Sequence, residues 1–151
     1  MRKRGFEVVR AYTEHGINLP ERKTAYSAGY DIMAADNAVL EPGTVTIVPT
    51  GLKAYMPEDE YLAIHIRSGL SIKNMLSLIN SQGIIDADYY NNSGNEGHIL
   101  VAIFNHGPVP VSITKGDRIA QGVFSKYLTV DYEAANKHHI TRTGGIGSTG
   151  K

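Results

Sequence analysis

Seven short apolar runs limit this chain to a fold built from strands. They cover residues 6–9, 45–48, 61–66, 75–79, 99–104, 109–113 and 119–124. Most alternate apolar with polar residues, the period of a half-buried strand. Turn-forming residues separate them: Glu41-Pro42-Gly43, Met56-Pro57-Glu58, residues 91–95, His106-Gly107-Pro108 and Lys115-Gly116-Asp117. No stretch holds a helical period over three turns, and residues 131–137 have room for a single turn of helix. The pattern predicts an all-β barrel or sandwich.

At 151 residues the chain is expected to be one domain with a substantial core. Its 15 basic and 15 acidic residues cancel, so no overall field draws in nucleic acid or an anionic membrane, and neither is expected as a partner. There is no cysteine, hence no disulfide framework or thiolate metal site. The histidines His15, His65, His98, His106, His138 and His139 show no HxxxH spacing, and no zinc site is expected. The basic start MRKRGFEVV is not followed by an apolar run of signal or membrane length, so a cytoplasmic location is the expectation.

Four segments set charge, amide or glycine against a strand. In AGYDIMAAD (28–36), Asp31 reads either as an outward-facing strand residue or as a carboxylate holding a hydrated divalent cation, since Mg²⁺ keeps its waters and needs few protein ligands. In IRSGLSIKN (66–74), a strand ends at Arg67 and Ser68-Gly69 turn the chain. This is a plain surface turn or a phosphate grip of guanidinium, hydroxyl and backbone N–H. In NSQGIIDADYY (80–90), Asp86 and Asp88 follow the apolar pair Ile84-Ile85. Read as chemistry, a carboxylate at a strand lip activates a water, Asn80 matches a pyrimidine edge, and Tyr89 lies against a sugar. Read plainly, it is an Asp/Asn-rich hairpin turn. In GDRIAQGVF (116–124), Gln121 interrupts an apolar strand.

The ending RTGGIGSTGK (142–151) has two readings as well: a loose glycine-rich tail, or an arm whose backbone N–H groups crowd an anion. Residues 145–151 fit the GxxxxGK portion of a P-loop. The Ser or Thr and the helix that a P-loop needs next do not follow, so a Walker A site is not expected. Composition turns polar, then glycine-rich, from residue 138, which sets the expected boundary between a β domain (1–137) and an arm (138–151). Ten extended residues span about 33 Å, enough to reach a neighbouring subunit.

Taken in order, AGYDIMAAD, RSGLS, the 80–89 segment with GIIDADY, GDRIAQ and RTGGIGSTG resemble the five motifs of the trimeric dUTPases, over residues 28–150. The resemblance implies an all-β, jelly-roll-like subunit in a homotrimer with exchanged C-terminal arms. It implies hydrolysis of dUTP to dUMP and pyrophosphate with Mg²⁺, whose water shell Asp31 holds. Asp86 would activate the attacking water. Arg67, Ser68, Gly69 and Gln121 would hold the triphosphate. Asn80, Gly83, Ile84, Ile85, Tyr89 and Leu100 would form the nucleoside pocket, and Arg142, Ile146, Gly147 and Ser148 would close it from the arm.

The sequence departs from that pattern mainly in two places, beside the smaller replacements Met33 and Ser71. Ile146 stands where the family arm carries an aromatic that stacks on uracil, and Tyr90 is the nearby candidate to supply a ring. The family's Tyr-x-Gly turn is stretched into residues 90–96. Two alternatives stand beside the enzyme. The first is a dUTPase-like module that binds a regulatory protein. The second is a dCTP deaminase-type enzyme, disfavoured because Ala102 in GHILVAIFN occupies the position of the deaminase glutamate.

Overall fold

A computed structural model describes residues 1–133, 141–147, 149 and 150. Eleven strands follow one another: β1 (Gly5–Val8), β2 (Tyr30–Met33), β3 (Ala38–Leu40), β4 (Val45–Pro49), β5 (Leu52–Tyr55), β6 (Glu60–Ile66), β7 (Leu76–Leu78), β8 (Gly83–Asp86), β9 (Leu100–Asn105), β10 (Val111–Ile113) and β11 (Arg118–Lys126). They form a four-stranded sheet β2-β11-β6-β8, a three-stranded sheet β4-β9-β7, and the pairs β1-β5 and β3-β10. Every pairing is antiparallel.

Each of the seven apolar runs overlaps a strand, and the reason shows in β9. Val101, Ile103 and Asn105 turn inward while Leu100, Ala102 and Phe104 are only half-covered, the two-residue alternation of a strand with one face in the core. Ile32, Leu62, Ile64, Ile119 and Ala120 of the four-stranded sheet share one buried cluster with Leu76, Leu78, Val101 and Ile103 of the three-stranded one. The architecture is therefore a sandwich of the jelly-roll kind. In β11 the register shifts between Arg118 and Ala120, and the bulge lets the adjacent Ile119 and Ala120 both reach the core.

Asn105 closes one end of the sandwich. It is fully buried, donates from Nδ2 to the carbonyls of Leu40 (2.8 Å) and Val109 (2.9 Å), and accepts from Gly107 N–H (2.8 Å). One side chain thus satisfies three backbone groups at a turn.

The expected turn at Ser68-Gly69 is instead the start of a helix, α1 (Ser68–Asn74), ended by Met75 in the left-handed conformation. Two turns are too few to leave a periodic signal, and α1 buries no residue, so no apolar stripe marks it. The single helical turn expected at 131–137, like the 137/138 domain boundary, falls largely on residues outside those described.

Candidate active site

A cavity of about 340 Å³ opens beside β8. Asn80, Gly83, Ile84, Ile85, Asp86 and Tyr89 line one side, Leu100 and Ala102 another, and Arg142, Gly145, Ile146 and Gly147 cover it. Because β8 is the last strand of its sheet, one side of its backbone is left unpaired by the sheet and faces this space. Ten of the expected site residues therefore meet in one place. Ser148 lies outside the described residues.

Tyr89 is the most constrained of them. It ends a short 3₁₀ turn, Ala87–Tyr89, and is 8% exposed. Its hydroxyl donates to the His98 carbonyl at 2.6 Å and accepts from Asn95 Nδ2 at 2.8 Å. Burial raises its pKa, opposed by the Asn95 hydrogen bond and the Arg142 charge, so the phenol stays neutral. Tyr90 turns the other way. It donates to Glu7 (2.7 Å) and packs edge-on against Tyr55, and it does not line the cavity. The expectation that it replaces the missing aromatic is corrected: successive residues here point to opposite sides. Among the described arm residues, Ile146 alone offers a large apolar side chain to the cavity, and it is 78% exposed.

Asp86 stands at the rim, paired with Arg142 at 2.5 Å, and the same guanidinium reaches Asp88 at 2.9 Å. Arg142 is well covered, whereas the two carboxylates are about half-exposed or more.

The remaining expected residues lie elsewhere in the chain. Asp31, Gln121 and His65 are direct cross-strand partners on β2, β11 and β6, and register places Ile84 and Asp86 on the same face. Three strand spacings, about 14 Å, separate the β2 and β8 lines. Gly29 packs directly against Gln121: a Cβ added there would lie 2.4 Å from Gln121 Oε1 and 3.3 Å from its Cβ. Arg67, Ser68 and Gly69 sit where β6 passes into α1. None of Arg67, Ser68, Gly69, Gln121 or Asp31 lines the cavity that holds Asp86 and Tyr89.

Sequence reasoning missed His65 and Gln82, which hydrogen-bond to each other at 2.8 Å beside Gly83, and also Asn95. His65 could have been found as a polar interruption in an apolar run. Asn95 carries no sequence signal, because its role depends on a loop conformation.

The pocket thus lies at the edge of an antiparallel β sandwich, with amide and apolar walls, a carboxylate at its rim and a glycine-rich cover. The family model for dUTPase matches residues 15–150. The chain is 50% identical over 150 residues to the deoxyuridine 5'-triphosphate nucleotidohydrolase of Lactococcus lactis, covering 99% of each chain. It is 42% identical over 138 residues to that of Corynebacterium glutamicum, covering 89% of each. A crystal structure of the dUTPase from Streptococcus mutans superposes with a TM-score of 0.80 at 45% identity, covering 84% of this chain and 98% of that one. The chain belongs to the dUTPase family.

Proposed function

We propose that this dUTPase hydrolyses dUTP to dUMP and pyrophosphate by in-line attack of a water that Asp86 orients and deprotonates. The observation that carries this is Asp86 at the rim of a cavity walled by Asn80, an open strand edge and Tyr89, under an arm that brings Arg142 against it. The water oxygen bonds to the α-phosphorus, the bond from that phosphorus to the bridging oxygen breaks, and the water's proton passes to Asp86. The leaving pyrophosphate carries the negative charge that Arg142 is placed to receive once it leaves Asp86. A positioned general base contributes about 10² to 10⁴-fold.

Base selection follows from the wall. Asn80 and the free edge of β8 supply both donors and acceptors. Cytosine exchanges an acceptor for a donor and leaves buried groups unpaired. Thymine adds a methyl against Ile84 and Ile85. Tyr89, held at its hydroxyl by His98 and Asn95, would leave no room for a ribose 2′-hydroxyl.

Mg²⁺ fits this chain as a substrate-borne ion. Among the described residues no three His, Asp or Glu side chains cluster, and Asp31 stands as one half-buried carboxylate 3.4 Å from Arg118. A single carboxylate suits a cation held mainly by phosphate oxygens and water. When bound it neutralises charge on the triphosphate. Asp31 would hold its water shell, and Arg67, Ser68, Gly69 and Gln121 would hold the phosphates.

The working unit is a homotrimer. Within one chain the phosphate-binding residues and the Asp86 cavity are separate, which supports sites shared between subunits. Val45 and Ile47 project from β4, and Val39, Ile84, Val109, Leu128 and Val130 are each about half-exposed or more, an apolar surface suited to subunit contacts. The seat that holds residues 142–147 would receive a neighbour's arm in the trimer.

The test is pyrophosphate release with Mg²⁺ from dUTP, UTP, dCTP and dTTP, by the full chain and by a chain ending at His139, with mass in solution from light scattering. Release from dUTP alone by a trimer, lost on truncation, is expected. Equal release from the four nucleotides would overturn the pocket assignment, and full activity after truncation would overturn the arm's role.

A further inference from the structure

Residues 91–96, where the family's short turn is lengthened, pack against the arm. Asn92 is 7% exposed and ties the loop into one piece. Its Oδ1 accepts from the N–H groups of Gly94 and Asn95, both at 3.0 Å. Its Nδ2 donates to the Tyr89 carbonyl at 2.7 Å and to Asn95 Oδ1 at 2.8 Å. Glu96 fastens the loop to the body. It accepts from Arg10 N–H at 2.8 Å and from Lys53 Nζ at 3.1 Å, and Lys53 also donates to Asn91 Oδ1 at 2.6 Å. Such a network holds its loop in one shape.

The arm lies on that shape. A Cβ added to Gly94 would stand 2.1 Å from the Thr143 carbonyl oxygen and 3.1 Å from Gly144 Cα. The nearest atoms to it all belong to the arm. Gly94 is not among the glycines with positive φ, so its backbone accepts alanine and only the arm requires glycine there. From the arm's side, a Cβ on Gly145 would stand 3.0 Å from Asn95 Nδ2 and 3.1 Å from the Tyr89 hydroxyl. Asn95 thus touches both the arm and the residue that faces the sugar.

We infer that residues 91–96 are a built seat for the C-terminal arm, in which Gly94 admits the Thr143–Gly144 backbone and Asn95 positions the Tyr89 hydroxyl beneath Gly145. Gly94 and Asn95 are positioning residues for dUTP hydrolysis: they act through the arm and through Tyr89. With Ile146 in place of an aromatic, arm closure depends on backbone fit against this loop more than on stacking with the base. The inference rests on the reading that the arm closes over the pocket during turnover, and the seat serves an arm of the same or of a neighbouring subunit equally.

The experiment is limited trypsin cleavage after Arg142, followed by mass spectrometry, with and without α,β-imido-dUTP, on the full chain and its Gly94→Ala variant. Turnover of both is measured beside that of the chain ending at His139. Expected is protection of the native arm by the analogue and loss of that protection in Gly94→Ala. The variant's kcat/KM for dUTP should fall at least tenfold, with melting temperature and oligomeric mass unchanged. Gly145→Ala, whose added methyl meets the Asn95 and Tyr89 side-chain ends at 3.0 and 3.1 Å rather than backbone at 2.1 Å, should lose less. Native-like protection and turnover in Gly94→Ala would overturn the seat. Full turnover by the chain ending at His139 would instead sink the arm-closure reading, while the protection assay would still report on the seat.

Discussion

Arg142 grips Asp86 at 2.5 Å and Asp88 at 2.9 Å with one guanidinium, so the arm reaches the rim carboxylate. A planar fork shared by two carboxylates is a competitor for phosphate, because guanidinium binds either anion in the same way. A triphosphate entering the site can draw Arg142 toward itself and free Asp86 for the water. Replacing Asp88 by Asn removes half of the grip and leaves Asp86, the proposed base, intact. In Asp88→Asn the nucleotide-free arm should be cleaved several-fold faster after Arg142, with kcat within about threefold of native. An unchanged cleavage rate would mean that Asp88 is a bystander.

Asp86 itself is open to a direct test. Asn keeps the shape and hydrogen-bonding reach of the side chain but cannot accept a proton. Asp86→Asn should lose about 10² to 10⁴-fold in kcat. Titration with α,β-imido-dUTP should give a Kd within a few-fold of native. Near-native turnover in this variant would require another base.

Tyr89 is held from both ends of its hydroxyl by Asn95 and His98. In the proposed site, a ring held this way would exclude a 2′-hydroxyl by contact. Tyr89→Ala should raise kcat/KM for UTP relative to dUTP by at least tenfold while lowering both. A dUTP preference that survives the change would place sugar discrimination elsewhere.

The Glu96 carboxyl is held at about 2, from an ordinary 4.5, chiefly by the Arg10 backbone N–H and then by the Arg10 and Lys53 side chains, with burial opposing. A carboxyl whose pKa is depressed on folding stabilises the fold above its unfolded pKa. That contribution is lost as pH falls from about 4.5 toward about 2. It amounts to at most about 3 kcal/mol. Glu96→Gln should melt lower than native at pH 7, and the gap should narrow steadily as pH falls from about 4.5 toward about 2. A gap that stays constant across this range would show that Glu96 contributes by shape rather than by charge.

Asn105 is a stability prediction remote from the site. Asn105→Ala leaves the Leu40 and Val109 carbonyls and the Gly107 N–H without their partner, at about 2–3 kcal/mol. Chemical denaturation should detect that loss, with dUTP KM unchanged in the folded fraction. Native stability would show that water takes the place of the amide.

The strands were legible because burial on one face imposes a period of two, and the runs at 61–66, 99–104 and 119–124 carry it plainly. The motif residues were legible as types: a carboxylate after an apolar pair, an arginine at a strand end, glycines in the last ten positions. Their spatial grouping was not. Asp31 and Asp86 are 55 positions apart in sequence, yet antiparallel register sets them on one face of a sheet, and only long-range pairing fixes that register. The helix over Ser68–Asn74 escaped because two exposed turns leave no apolar stripe. Tyr89 and Tyr90 look alike as neighbours, and the 3₁₀ turn ending at Tyr89 sends one to the pocket and the other to Glu7. The 91–96 insertion reads as a generic Asn-rich loop until Asn92 is seen to hold it and the arm to lie on Gly94. By itself the sequence determined the strand content, the chemistry at hand and the family. Which of those groups meet was decided by the tertiary structure, because strand register and loop shape depend on contacts between residues far apart in the chain.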